Sequence, residues 1–159
     1  MKNLLIILGL VLLISACQPE QRPIRYGEEK CNFCQMTVVD RRFGGEIVTE
    51  KGRVYVYDAV ECMIRDMKAQ SWSTENLGFV LTNTRDNPSE LAPVEACTFL
   101  ISEDLPSPMG ENINPFKKLT DAMMLQKKHG GEIYTWSELW SFKNQMSHSE
   151  AIPVITVCR

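Results

Sequence analysis

Glu46-Ile47-Val48-Thr49 and Arg53-Val54-Tyr55-Val56-Tyr57, joined by Glu50-Lys51-Gly52, run straight into Asp58-Ala59-Val60-Glu61-Cys62-Met63-Ile64-Arg65-Asp66-Met67. The first two runs are β-prone and meet at a glycine-bearing turn, the pattern of a hairpin. In the third, Val60, Met63, Ile64 and Met67 recur at i, i+3, i+4 and i+7, which gives a helix one apolar face and leaves Cys62 roughly opposite it. Asp58 with Glu61 three residues on reads as the capping box that opens this helix. A run from Gly78 to Thr82 supplies a closing strand, so the first half reads strand, strand, helix, strand.

The same order is expected downstream. Glu95 to Ile101 alternates as a strand, and a proline-rich loop from Leu105 leads to Met109-Gly110. Asn114, with Pro115 at the first helical position, predicts the start of a helix whose core face carries Phe116, Leu119 and Met123. Lys127, Lys128 and His129 suit the negative end of that helix, and Gly130-Gly131 stops it. Met63, Met67, Met123 and Met124 are all expected in the core, because they lie on helical stretches. Glu132 to Thr135 is the closing strand, Ser137 caps a short helix bearing Leu139, Trp140 and Phe142, and Ile152 to Cys158 reads as an edge strand or a tail, with Pro153 against a central strand. The expected fold class is therefore α+β, two small β-β-α-β units side by side, although residue identity between the halves is too weak to show duplication.

Working outward to the N-terminus, Lys2 and the apolar run Leu4 to Ile14 form a secretion signal, too short for a membrane span of ~20 residues. Ile14-Ser15-Ala16-Cys17 fits a lipobox, in which Cys17 receives a diacylglycerol thioether. The expected organisation is a signal over 1–16, a lipid-anchored flexible tether over 17–30, and one folded domain over 31–159, its halves about 31–90 and 91–145 before a tail at 146–159. The chain is then held on a bacterial membrane, facing the periplasm or the cell exterior.

Removing the signal takes Lys2 with it and moves the formal charge from −3 to about −4. Acidic and basic residues are interspersed, which excludes nucleic acid as an expected partner and points to a solvated, mixed-charge surface. Lipidation of Cys17 leaves Cys31, Cys34, Cys62, Cys97 and Cys158, an odd number of thiols that cannot all pair within one chain. In an oxidising compartment this favours a metal or redox role for some of them, and burial for others such as Cys62 or Cys97.

Cys31-Asn32-Phe33-Cys34-Gln35-Met36 carries the chemistry. It places three sulfur atoms in one short loop, and thiolates with thioethers are the soft donors that select Cu(I). A Cys34 thiolate supplies charge and affinity. A Met36 thioether supplies an exchangeable bond, and the Cys34-x-Met36 spacing puts both on one side of an extended segment. Met109, between Pro108 and Gly110, is the candidate third ligand, with gap filling as its alternative. Other readings of C-x-x-C stay open: a redox pair, which needs a helix after the motif whereas Met36 to Val39 looks like a strand; a zinc site, which lacks a second ligand pair; and a simple Cys31–Cys34 disulfide, which blocks copper. His129 reads as a helix-end residue and His148 as a loop residue.

These residues together resemble the NosL family, lipoprotein copper chaperones encoded with nitrous oxide reductase. The resemblance is carried by the lipobox at Cys17, Cys31-x-x-Cys34-x-Met36 with Asp40, Tyr57-Asp58 with Cys62-Met63, Pro108-Met109-Gly110 and His129-Gly130-Gly131. Gln35 stands where glycine is usual in that family, and Tyr57-Asp58-Ala59 replaces its usual Phe-Asp-Asp. The resemblance implies two β-β-α-β halves, similar also to organomercurial lyase. It implies one Cu(I) held on Cys34, Met36 and Met109, with Cys31 as an additional or alternate thiolate. It also implies delivery, without catalysis, to apo nitrous oxide reductase and its ABC-type membrane maturation complex, for the copper-sulfide centre. The alternatives are a general copper lipoprotein serving another cuproenzyme, a mercury- or thiol-type enzyme on the same fold, and a metal-free interaction lipoprotein.

Overall fold

The computed structural model describes residues 19–149, without the side chains of 144–149. The signal, Cys17, Cys158, the edge strand or tail expected over Ile152 to Cys158 and the side chain of His148 lie outside that description. The elements are β1 (Gly45–Val48), β2 (Val54–Tyr57), α1 (Val60–Ala69), β3 (Phe79–Thr84), β4 (Asn87–Pro93), β5 (Thr98–Ile101), β6 (Ile113–Phe116), α2 (Leu119–His129), β7 (Glu132–Thr135) and α3 (Trp136–Ser149). They form two antiparallel sheets ordered β2-β1-β3-β4 and β6-β5-β7. In each, the first strand of a β-β-α-β unit lies between the second and the third. The two expected units are both present and share one topology, with β4 added at the edge of the first.

The quoted hairpin forms in the register its pattern predicts, Val48 opposite Val54, and Gly52 takes the left-handed φ of 76° that its turn needs. Tyr57, Val60, Met63, Ile64 and Met67 are buried in the main core, where they join Phe99, Ile113 and Leu139 from the second unit. The two units therefore share one apolar centre. A smaller cluster of Leu100, Leu105, Phe116 and Ala122 lies between α2 and the second sheet.

Five expectations need correction. Asp58 does not cap α1: Ala59 holds the N-cap position with no side-chain bond, and both Asp58 and Glu61 are buried. Glu61 is used to join the units, because its carboxylate accepts from the Ser107 hydroxyl and from the Ile113 N–H. Asn114-Pro115 opens no helix but lies in β6, an edge strand, where Pro115 needs no ladder donor. With α2 starting only at Leu119, the exposed outer face carries Leu119, Met123 and Met124 rather than burying them. Met63 and Met67 are buried as expected.

The segment expected as a tether is folded from Pro19 onward. Ile24 is buried, Arg22 forms a two-pronged pair with Glu29 at 2.9 and 2.6 Å, and the Arg22 N–H donates to Glu46. Lastly, α3 runs longer than the short helix expected, and Thr135 rather than Ser137 caps it. The Thr135 N–H donates to Glu138 at 2.8 Å, and the Glu138 N–H donates back to the Thr135 hydroxyl at 3.4 Å. No helix among the described residues is long and apolar enough to cross a membrane.

Candidate metal centre

Residues 31–36 form a tight turn rather than the mouth of a helix. The Cys31 N–H donates to the Met36 carbonyl at 2.8 Å, the Gln35 N–H to the Cys31 carbonyl at 3.0 Å, and Lys30 and Thr37 form an isolated bridge behind them. The extended stretch expected at Met36 to Val39 is thus reduced to that one bridge. Gln35 closes the turn at φ 64°, a left-handed conformation that normally selects glycine, and its side-chain amide donates to the Asn32 carbonyl at 2.8 Å.

The turn is locked onto the first unit by Asn32. Its N–H donates to the Val56 carbonyl of β2 at 2.8 Å, and its side-chain amide to Asp66 of α1 at 2.7 Å. The same Asp66 oxygen accepts from the buried Tyr57 hydroxyl at 2.7 Å, so one carboxylate ties loop, strand and helix together. This places the loop over the first turn of α1, where Cys62 lies. The sulfur atoms of Cys31, Cys34 and Cys62 all come within 4.8 Å of one another, with Cys31 and Cys62 buried and Cys34 half-buried. No His, Asp or Glu joins them among the described residues. A three-coordinate ion with metal–sulfur bonds of about 2.3 Å sets its sulfurs about 4 Å apart. The triad is therefore close to the spacing a soft ion needs.

Its electrostatics single out one ready thiolate. The Cys62 thiol donates to Cys31, and the backbone N–H groups of Cys34, Asp58 and Phe33 also point at that sulfur, which together bring Cys31 down to about 5 despite its burial. Cys62 is pushed up because its proton is held by Cys31, and burial pushes Cys34 up. The metal-free triad thus carries one negative charge and two thiol protons. Asp58, beside it, is raised by burial and by the Cys31 charge, and one of its oxygens has no partner.

Of the residues expected from sequence, the structure brings Cys31 and Cys34 together. Met36 is 47% exposed at the loop's rim, and its N–H faces the Cys34 sulfur. Met109 is partly buried and packs against the core cluster that holds Cys31 and Cys62. Its turn is built as expected: Gly110, at φ 77°, donates to the Ser107 carbonyl at 3.1 Å, and Ser107 is tied to Glu61 on α1. His129 lies elsewhere, 4.0 Å from Asp104. Cys62 was missed as a ligand because the helical wheel turned it away from the apolar face. The signal that could have found it is its place in the first helical turn after β2, the strand against which the cysteine loop packs. Cys97 is a buried packing thiol, donating to the Pro93 carbonyl at 3.3 Å and pushed up to about 12 by burial. The described cysteines are all unbridged.

The crystal structure of the copper chaperone NosL from Shewanella denitrificans is similar to this chain with a TM-score of 0.66 and 19% identity, covering 76% of this chain and 96% of that one. No curated protein matches. The structural likeness shows the fold; the family model named NosL matches residues 25–141, most of the described chain, and on that match the chain belongs to the NosL family.

Proposed function

We propose that the protein is a periplasm-facing lipoprotein, anchored through Cys17, that carries one Cu(I) and delivers it for assembly of the copper-sulfide centre of nitrous oxide reductase. The observation that carries this reading is the gathering of three thiols within 4.8 Å, a donor set that no His, Asp or Glu joins among the described residues. The solved copper chaperone of the same fold, in the same family, supports it. Cu(I) arrives as cargo at the half-buried Cys34, meets the Cys31 thiolate, and is closed in by Cys62, with the Cys34 and Cys62 protons released on binding. Exposed Met36, with Met109 on the second unit, offers neutral and weakly held sulfur along the way out. A partner's ligand can enter there before Cys34 leaves, and apo nitrous oxide reductase or its ABC-type membrane complex supplies that ligand. The protein makes and breaks coordination bonds only.

Deletion of the gene under copper limitation should abolish nitrous oxide reduction, with rescue by the wild-type chain but not by a Cys31→Ser, Cys34→Ser double variant. Reduction that persists at wild-type rate would assign the carrier to another cuproenzyme.

A further inference from the structure

Pro19, the first described residue, seats against Gly78: a methyl group on Gly78 would lie 2.9 Å from Pro19 Cβ and 3.2 Å from the Thr49 carbonyl. From Cys17 to Pro19 the chain spans at most about 7 Å, at roughly 3.3–3.6 Å per residue. A lipid on Cys17 therefore cannot hold the domain at a distance, and whichever surface surrounds Pro19 must meet the bilayer.

That surface is one end of the first unit. It carries the turn between β1 and β2, the start of β3 and the chain just after α1. Phe79 is exposed there, and Trp72 and Tyr55 are partly buried with ring centroids 5.1 Å apart. Arg53 lies over the Tyr55 ring at 4.8 Å, with Lys51 beside it in the turn. Aromatic rings with long cationic side chains at their rim favour the boundary between headgroups and acyl chains. Glu50, in the same turn as Lys51, offsets one of the two cations, so depth of insertion rather than charge attraction holds this end in place. The copper loop is at the other end, because Cys62 is in the first turn of α1 whereas Trp72 follows its last. The ten residues of α1 put about 15 Å between them.

We propose that Phe79, Trp72 and Tyr55 rest in the bilayer interface and turn the Cys31–Met36 loop toward the aqueous side, where a soluble partner can reach it; this rests on the Cys17 anchor. Full-length lipidated protein in phosphatidylcholine nanodiscs, with and without bromine high on the acyl chains, tests it. The emission added by Phe79→Trp should be quenched by brominated lipid, and that added by Phe33→Trp should be quenched by aqueous iodide and not by bromine. Trp72→Phe should remove part of the native protein's bromine quenching. Quenching of the Phe33→Trp signal by bromine, or of neither new signal, overturns the orientation while leaving the anchor intact. The mass of the N-terminal peptide decides the anchor separately, since a peptide without the thioether lipid overturns both.

Discussion

Replacing Cys62 by alanine should move the titration of a different residue. The Cys31 sulfur accepts from three backbone N–H groups and from the Cys62 thiol, and the thiol is the largest of the causes that bring it to about 5. A hydrogen bond to a charged acceptor contributes ~1.5–3 kcal/mol, which at about 1.36 kcal/mol per pKa unit is ~1–2 units. With Cys62→Ala the remaining amides hold the thiolate alone, and its midpoint should rise to ~6–7. Near pH 6 the wild type is then almost fully ionised at Cys31 and the variant about half so or less. The assay is thiolate ultraviolet absorbance of the reduced, metal-free protein against pH, with Cys31→Ser as the blank. Stability should follow the same titration. Cys31 is more acidic folded than unfolded, so its ionisation stabilises the fold fully above the unfolded thiol's ~8.5, and this is lost as pH falls through about 5. A wild type without thiolate absorbance at neutral pH, or a Cys62→Ala curve superimposed on the wild type, would refute the reasoning.

Gln35→Gly should leave thermal stability within about 1 kcal/mol, since the relief of a left-handed side chain is offset by glycine's entropy and the lost bond to Asn32, whereas Gln35→Val should cost ~2 kcal/mol. Denaturant midpoints check both; equal costs would mean that the backbone is unstrained there. Asp66→Ala should destabilise by ~3 kcal/mol through the stranded Tyr57 hydroxyl, and Tyr57→Phe added to it should recover part of that loss; additive losses would deny that the two share one bond. Met36→Ala with Met109→Ala should slow copper transfer to an acceptor chelator while the protein keeps its copper through the thiols. Unchanged transfer kinetics would remove the thioethers from the exit path.

The first unit was legible because its signals were local. Alternation in the hairpin and a glycine turn fixed β1 and β2, and a 3.6-residue period fixed α1. What failed depended on neighbours the sequence does not display. Pro115 resembles a helix start as much as an edge-strand residue, and only pairing of Phe99 with Pro115 across β5 and β6 decides between them. β4, bounded by Pro88 and Pro93, carries the same ambiguity and was passed over. Leu119 and Met123 sit at core spacing on a helix whose buried side turned out to be the one through Ala122. The candidate site was half visible: Cys31 and Cys34 lie within one loop, but Cys62 enters through the start of α1, where Val60 to Ile64 are all buried and the cysteine loop covers the side that the apolar wheel leaves over.

The most direct test of the central claim is an anaerobic Cu(I) titration of the reduced protein against a chromogenic competing chelator, run on the wild type and on Cys31→Ser, Cys34→Ser and Cys62→Ser. Each variant is first shown to be folded. A single Cu(I) per chain, held by the wild type and weakened by every one of the three substitutions, is the result the thiol triad predicts. A folded, fully reduced wild type that takes no copper from the chelator, or a Cys62→Ser variant that binds as the wild type does, would contradict it.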